Sequence, residues 1–498
     1  MKRPGIMIAA PKSGSGKTTI TCALLEALKR RGLTPCAFKC GPDYIDPMFH
    51  RTVIGIPSGN LDRFFTDEEE TRRIFLAESS GGISVIEGVM GLYDGLGGIR
   101  EEASTYALAE TLGVPVILVV DARGAGRSLL AEISGFLSFD RAGLIRGVIL
   151  NRTTPSFANM LKPLIEETCH VRVLGSFPMR KDMEVGSRHL GLAMPSEIAD
   201  IRRRLGEAAD CLEENCDIDG ILKIAGLSEN SGEKQEAPAQ AYNSCPGEGE
   251  KHESAGTCGC LDAGRSPDQG KGRPVSTEAP GPEHAPLRLG IARDGAFCLY
   301  YRENLEMLER AGFTLVPFSP VSDERLPDGL DGLLLGGGYP ELCAEALSKN
   351  EAMLRSVRDA VSGGIPVLAE CGGFMYLCAS LVTEDGSKWP MAGVFPGEAR
   401  WTGHLTRFGY VTVRDQMSGL EIRGHEFHYF DTDDNGDACL AVKPVTGRKW
   451  PCMHRINGGF AGFPHLYYPS APAFVTDFAG KCRAYRKIGY SSHAIRPR

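Results

Sequence analysis

At 498 residues the chain is too long for one ordinary domain, and at about 100–200 residues per domain it allows two to four. Apolar residues make up 42% and charged residues 24%, which excludes wholesale disorder. A net charge of -8 argues against a nucleic-acid footprint, which needs a basic face. The longest strongly apolar run, residues 114–120, has the length of a buried strand and falls short of a membrane span. Sixteen cysteines are scattered without the spacing of a disulfide framework, and no secretory signal precedes them. The expectation is a reduced, soluble, cytoplasmic protein.

In chain order, residues 5–10 are predicted as a strand and 18–31 as a helix. Between them runs Pro11-Lys12-Ser13-Gly14-Ser15-Gly16-Lys17-Thr18-Thr19. Glycines let successive backbone N–H groups face one anion, and the helix that follows adds its positive end. In such a loop Lys17 meets the β- and γ-phosphates of ATP, and Thr18 offers its hydroxyl to Mg²⁺. Pro11 stands where the standard phosphate loop has its first glycine. Residues 12–19 instead resemble the deviant form K-G-G-x-G-K-T-T, with Ser13 for a glycine. Lys12, Gly14, Gly16, Lys17, Thr18 and Thr19 are the expected nucleotide-binding residues.

Strands follow at 34–39, 83–87, 114–121 and 146–150, with a helix at 101–112. The second strand runs into Gly41-Pro42-Asp43-Tyr44-Ile45-Asp46, and the third ends in Glu87-Gly88-Val89-Met90-Gly91-Leu92-Tyr93-Asp94. Mg²⁺ takes one or two carboxylates together with phosphate oxygens and water. Thr18, Asp43 and Glu87 are the expected metal shell, with Asp46 and Asp94 nearby. Asn151, at a later strand end, is an amide that could read an adenine edge.

From about 227 to 286 the chain is Gly, Pro, Ser, Glu and Lys with few aliphatic residues. Such a segment buries too little surface to offset the entropy of ordering, and is expected to be a flexible linker. It separates an N-terminal part, 1–226, from a C-terminal part, 287–498. Cys258 and Cys260 inside it read as incidental.

The C-terminal part repeats the alternation, with strands at 287–292, 314–318, 332–335 and 366–369 and helices at 301–311 and 352–362. Strand–helix alternation implies α/β architecture, with parallel sheets covered by helices on both faces. Glu370-Cys371-Gly372-Gly373 places a cysteine at a sharp strand-to-helix turn. A helix N-terminus there would lower the thiol pKa. Gly337 and Gly338, after the preceding strand, can present N–H groups as an oxyanion hole with Gly372. His465 is the expected base. His425 and His428 are spaced like metal ligands but have no third partner, so a substrate-facing or packing role is expected.

Taken together, these motifs resemble the cobyrinate a,c-diamide synthase family, over essentially everything outside the linker. They are residues 12–19, Gly41–Asp46, Glu87–Gly95, Ser187-Arg188-His189-Leu190-Gly191-Leu192, Glu370–Gly373, Phe408-Gly409-Tyr410 and Gly424-His425-Glu426-Phe427-His428. The resemblance implies two doubly wound, mostly parallel-sheet domains. The first is P-loop NTPase-like, of the dethiobiotin-synthetase-like group, and the second a flavodoxin-like class I glutamine amidotransferase. The implied activity is ATP- and glutamine-dependent amidation of acetate side chains c and then a of cobyrinate, in cobalamin biosynthesis.

By the same resemblance, Cys371 and His465 release ammonia from glutamine. Asp43 and Glu87 handle Mg²⁺ and the phosphoryl group, and Asp46 and Asp94 help position the carboxylate. Ordinary class I members carry Glu two residues after the histidine, whereas this chain has Tyr467 there. No third triad member follows from the sequence. The implied partners are small molecules (glutamine, ATP and the tetrapyrrole), without nucleic acid or membrane, and a homodimer is admitted. Ni-sirohydrochlorin and hydrogenobyrinate a,c-diamide synthases share the motifs. Cobyrate synthases lack a lysine at the Lys12 position. A P-loop switch carrying an inert amidotransferase module is the alternative of a different class.

Overall fold

In the computed structural model, residues 3–79, 81–179, 195–227 and 285–493 are described, with backbone alone at 195–199 and 489–493. The motif at 187–192, most of the predicted linker, and Cys258 and Cys260 lie outside the described residues.

The N-terminal part is built on seven strands: β1 Gly5–Ala9, β2 Pro35–Cys40, β3 Ser58–Leu61, β4 Ile83–Glu87, β5 Val116–Asp121, β6 Ile145–Asn151 and β7 Arg172–Phe177. They form one parallel sheet in the order β3-β2-β4-β1-β5-β6-β7. Runs such as Val-Ile-Leu-Val-Val in β5 are buried on both faces, as helix-covered parallel strands require. The sequence reading missed β3 and β7, which are edge strands of mixed composition. The predicted helix at 101–112 begins only at Thr105. Ser104 caps it through the Ala107 N–H, and Ala103 turns the chain with a φ of +61°.

The C-terminal part contains β8 Leu287–Ala292, β9 Phe297–Leu299, β10 Phe313–Phe318, β11 Gly332–Leu335, β12 Gly337–Gly338 and β13 Val367–Glu370. Further strands follow: β14 Cys378–Val382, β15 Lys388–Pro390, β16 Phe395–Trp401, β17 Arg407–Asp415, β18 Glu421–His428, β19 Phe430–Asp431, β20 Cys439–Val442, β21 Lys449–Cys452, β22 His454–Ile456, β23 Gly459–Gly462 and β24 His465–Leu466. The central sheet runs β10-β8-β11-β13-β23-β22 and is parallel except at β22. An antiparallel sheet, β21-β20-β17-β18-β24, stands beside it.

In both parts the main-sheet strand that carries the chemistry is internal. β1 lies between β4 and β5, and β13 between β11 and β23. Loops at the carboxyl ends of such strands form the crevice where ligands bind. The thirteen cysteines among the described residues are all free thiols. Among the described residues no helix is long and apolar enough to cross a membrane.

Candidate active site

The first half of the site grows from the turn after β1. Gly14 and Gly16 take φ values of +76° and +93°, which L side chains resist. Any Cβ at Gly16 would also come within 2.2 Å of the Asn151 Nδ2. Asn151 donates from Nδ2 to the Ser15 carbonyl at 2.7 Å and accepts the Arg152 N–H at 2.9 Å. Both ends of its amide are engaged within the protein, so here it braces the phosphate loop from β6.

Lys17 Nζ donates to the carbonyls of Met90 at 2.5 Å and Lys12 at 3.3 Å. Burial, with Lys39 close by, lowers its pKa to about 8. Lys12 is exposed at the rim of the loop, and Thr19 sits half-buried in the first turn of the helix.

Beside the loop lies a buried charged cluster. Thr18 Oγ1 donates to Glu87 Oε1 at 2.6 Å. Lys39, opposite Glu87 in the β2–β4 register, reaches the same oxygen at 2.7 Å and Asp46 Oδ2 at 2.6 Å. Burial alone would discharge Lys39. Glu87, Asp46 and Asp43 outweigh it and hold the ammonium charged. Asp43 accepts the N–H groups of Ile45 and Asp46 on Oδ1, and burial beside Asp46 raises its pKa. Asp94 folds its own loop by accepting the Gly91 N–H at 2.9 Å.

The sequence reading named Thr18, Glu87, Asp43 and Asp46 but not Lys39, the cation at their centre. A lone lysine at the end of an apolar strand was its only local signal. Among the described residues no three His, Cys, Asp or Glu side chains are grouped to hold a metal by themselves. Mg²⁺ bound through phosphate needs fewer protein ligands. Glu87 Oε2 is buried without a hydrogen-bond partner among the described residues and lies on the carboxylate that Thr18 touches. That orphaned oxygen and the Thr18 hydroxyl fit such an ion.

The second half is the turn after β13. Cys371 adopts φ 48° and ψ -106°, a strained conformation for a non-glycine residue. Its N–H donates to the Gly462 carbonyl at 2.8 Å, tying the turn to β23. The helix that follows has only six residues, Gly372–Leu377. Burial, together with Glu341, pushes the Cys371 thiol up to about 12. This corrects the expectation of a lowered pKa: desolvation outweighs so short a helix. Gly337, Gly338 and Gly372 gather here. A Cβ on Gly372 would lie 3.1 Å from the Gly338 nitrogen, and one on Gly337 would strike His465 Cε1 at 2.4 Å.

His465 is buried, and desolvation with His428 nearby lowers its pKa to about 3. Its Nδ1 has no hydrogen-bond partner among the described residues, and Glu370 Oε2 stands 3.9 Å away. Tyr468 donates its hydroxyl to the other oxygen of Glu370 at 3.0 Å. Tyr467, at the position usual for the third triad residue, stacks on Phe65 at 4.7 Å instead. His425 and His428 are both buried. His425 bonds Tyr301 through Nδ1, and His428 lies flat on Phe463 at 4.1 Å.

The two halves meet through an aromatic cluster. Tyr44, between Asp43 and the short Ile45–Phe49 helix, packs its ring 5.3 Å from His465, 5.6 Å from His425 and 4.3 Å from Tyr301. Tyr410 donates to Asp62 Oδ2 at 2.8 Å, and Arg423 to the Phe64 carbonyl at 2.6 Å. One side chain therefore separates the imidazole from the loop that bears the acids.

Residues 6–192 match the CobQ/CobB/MinD/ParA nucleotide binding domain, and residues 288–458 the CobB/CobQ-like glutamine amidotransferase domain. A cobyrinate a,c-diamide synthase of Salmonella typhimurium is 36% identical over 96% of this chain and 98% of its own. Namesakes from Clostridium tetani and Listeria innocua are 34% and 35% identical, over 93% and 95% of this chain and 96% and 98% of theirs. The chain belongs to the cobyrinate a,c-diamide synthase family. As a member of that family it is a glutamine-dependent amidating ligase with a nucleotide-binding domain. A crystal structure of a glutamine amidotransferase covers 39% of this chain at 18% identity, with a TM-score of 0.28.

Proposed function

We propose that the protein converts the a and c acetate side chains of cobyrinate to amides, using ATP and glutamine, and yields cobyrinate a,c-diamide. The observation that carries this reading is the junction at Tyr44. A cysteine elbow with a buried histidine and a phosphate loop with acids back onto one shared aromatic cluster. The names of the relatives support cobyrinate as acceptor.

In the glutaminase half, the Cys371 thiol gives its proton to His465 as sulfur attacks the side-chain amide carbon of glutamine. The imidazolium returns that proton to the departing nitrogen, and ammonia leaves. Water then hydrolyses the glutamyl thioester to glutamate. N–H groups of the turn lined by Gly337, Gly338 and Gly372 stabilise the oxyanion. Burial holds the resting pair as neutral thiol and neutral imidazole, so transfer awaits a bound amide.

In the ATP half, the carboxylate oxygen of an acceptor side chain attacks the γ-phosphorus, ADP departs, and an acyl phosphate forms. Ammonia displaces phosphate to give the amide. Lys17 and Lys12 steady the transferring charge. Mg²⁺, held by Thr18 and Glu87 with Asp43 beside them, would neutralise phosphate charge. Asp46 and Asp94 hold the loops that frame the acceptor carboxylate. Residues 1–226 and 287–498 serve as the two working halves, with 227–286 joining them, in a cytoplasmic enzyme.

The ring itself is tested by competition. Offered cobyrinate, hydrogenobyrinate and Ni-sirohydrochlorin together, the enzyme is expected to amidate cobyrinate first, as read by mass spectrometry. Preferred amidation of either other ring would keep the chemistry and overturn the acceptor.

A further inference from the structure

We propose that Glu370, the residue immediately before the nucleophile, is the positioning carboxylate of His465. It takes the place left by Tyr467. The inference rests on the glutaminase reading of Cys371 and His465.

Proton transfer through an imidazole needs a defined tautomer. A carboxylate facing one ring nitrogen fixes N–H there and leaves the other nitrogen as the base. His465 Nδ1 is buried and unbonded among the described residues, and Glu370 Oε2 is the carboxylate oxygen facing it, at 3.9 Å. This distance is longer than a hydrogen bond, and such contacts tighten when substrate binds. Glu370 is itself held in aim. Tyr468 donates to Oε1 at 3.0 Å, and the Leu466 backbone N–H also reaches the carboxylate. β13 and β23 pair Glu370 with Gly462, three residues before His465, so the sheet fixes the approach. Tyr467 cannot compete, because its ring is stacked on Phe65.

Tyr468, Tyr300 and Tyr44 face Glu370, Cys371 follows it in the chain, and His425 and His428 flank His465. Glu341 and Glu426 act on the thiol. Burial raises Glu370 to about 8. Below that pH the carboxyl is neutral and offers His465 no negative partner. As pH rises through about 8 it ionises, accepts from Nδ1–H and frees Nε2 as base. Glutaminase turnover is therefore expected to climb through about pH 8 and to fall on the acid side.

The test uses the full-length enzyme, with glutamate release measured between pH 6 and 10. Glu370→Gln is expected to lower kcat for glutamine by about 10²-fold or more, with KM little changed and the limb near pH 8 gone. Glu370→Asp should recover part of the loss. Tyr468→Phe, which keeps the ring and removes the clamp, should lower kcat less and move the limb. A folded Glu370→Gln or Tyr468→Phe enzyme with wild-type kcat and pH limb would overturn the assignment. Wild-type enzyme without glutaminase activity, or Cys371→Ala with undiminished activity, would instead overturn the glutaminase reading beneath it.

Discussion

Cys371→Ala is expected to abolish glutamine-driven amidation, by roughly 10³-fold or more, while amidation driven by added ammonium salt stays near the wild-type rate. The substitution removes one sulfur atom from a buried turn. The backbone of that turn is fixed independently, by the Cys371 N–H to the Gly462 carbonyl and by the Met375 N–H to the Cys371 carbonyl. The phosphate loop and its acids belong to another sheet, and Tyr44 still covers the junction. Amide formation with each nitrogen source is the readout. Failure of ammonium to rescue the variant would show that the halves are not separate chemical stations.

Glu87→Gln has the opposite signature. Glu87 takes hydrogen bonds from Thr18 and Lys39 on one oxygen and keeps the other buried and unbonded. An amide keeps the shape and loses the charge. ATP-dependent amidation should fall by roughly 10²-fold or more with either nitrogen source. Lys39 retains Asp46 at 2.6 Å, so the cluster keeps an ion pair and the fold survives. Glutamate release without acceptor should continue. Ammonium-driven amidation at the wild-type rate in this variant would remove Glu87 from the phosphoryl chemistry.

The sequence carried the local features well, because each follows from short-range rules. Gly14 and Gly16 need left-handed backbone, Lys17 and Thr18 follow in register, and Cys371 sits where strand, turn and helix meet. What it could not carry depends on pairing across the fold. Lys39 faces Glu87 only because β2 lies beside β4. Glu370 precedes the nucleophile in the chain, yet faces His465 only because β13 pairs with β23. The position two residues after the histidine holds Tyr467, which packs on Phe65. The strand end at Asn151 is legible locally, while the Ser15 carbonyl that takes its amide lies on β1's loop and is not. The antiparallel sheet at 407–466 was also missed. Its strands mix exposed polar with buried residues, and no helix lies between them to mark the alternation.

The thiol shows how tertiary context reverses a local rule. A cysteine before a helix is ordinarily acidified, whereas here burial and Glu341 drive it the other way. The resting glutaminase site is thereby kept neutral, next to an interface whose far side is the loop of Asp43 and Asp46.

The central claim is that glutamine nitrogen reaches a carboxylate activated by ATP. It is tested most directly by isotope tracing. Cobyrinate, Mg·ATP and glutamine labelled with nitrogen-15 in the side-chain amide are given to the enzyme, and product, ADP and glutamate are counted. The expected result is a diamide carrying two labelled nitrogens, with one ADP and one glutamate per amide formed. A product without label, or ADP and glutamate released with no amide, would contradict the account.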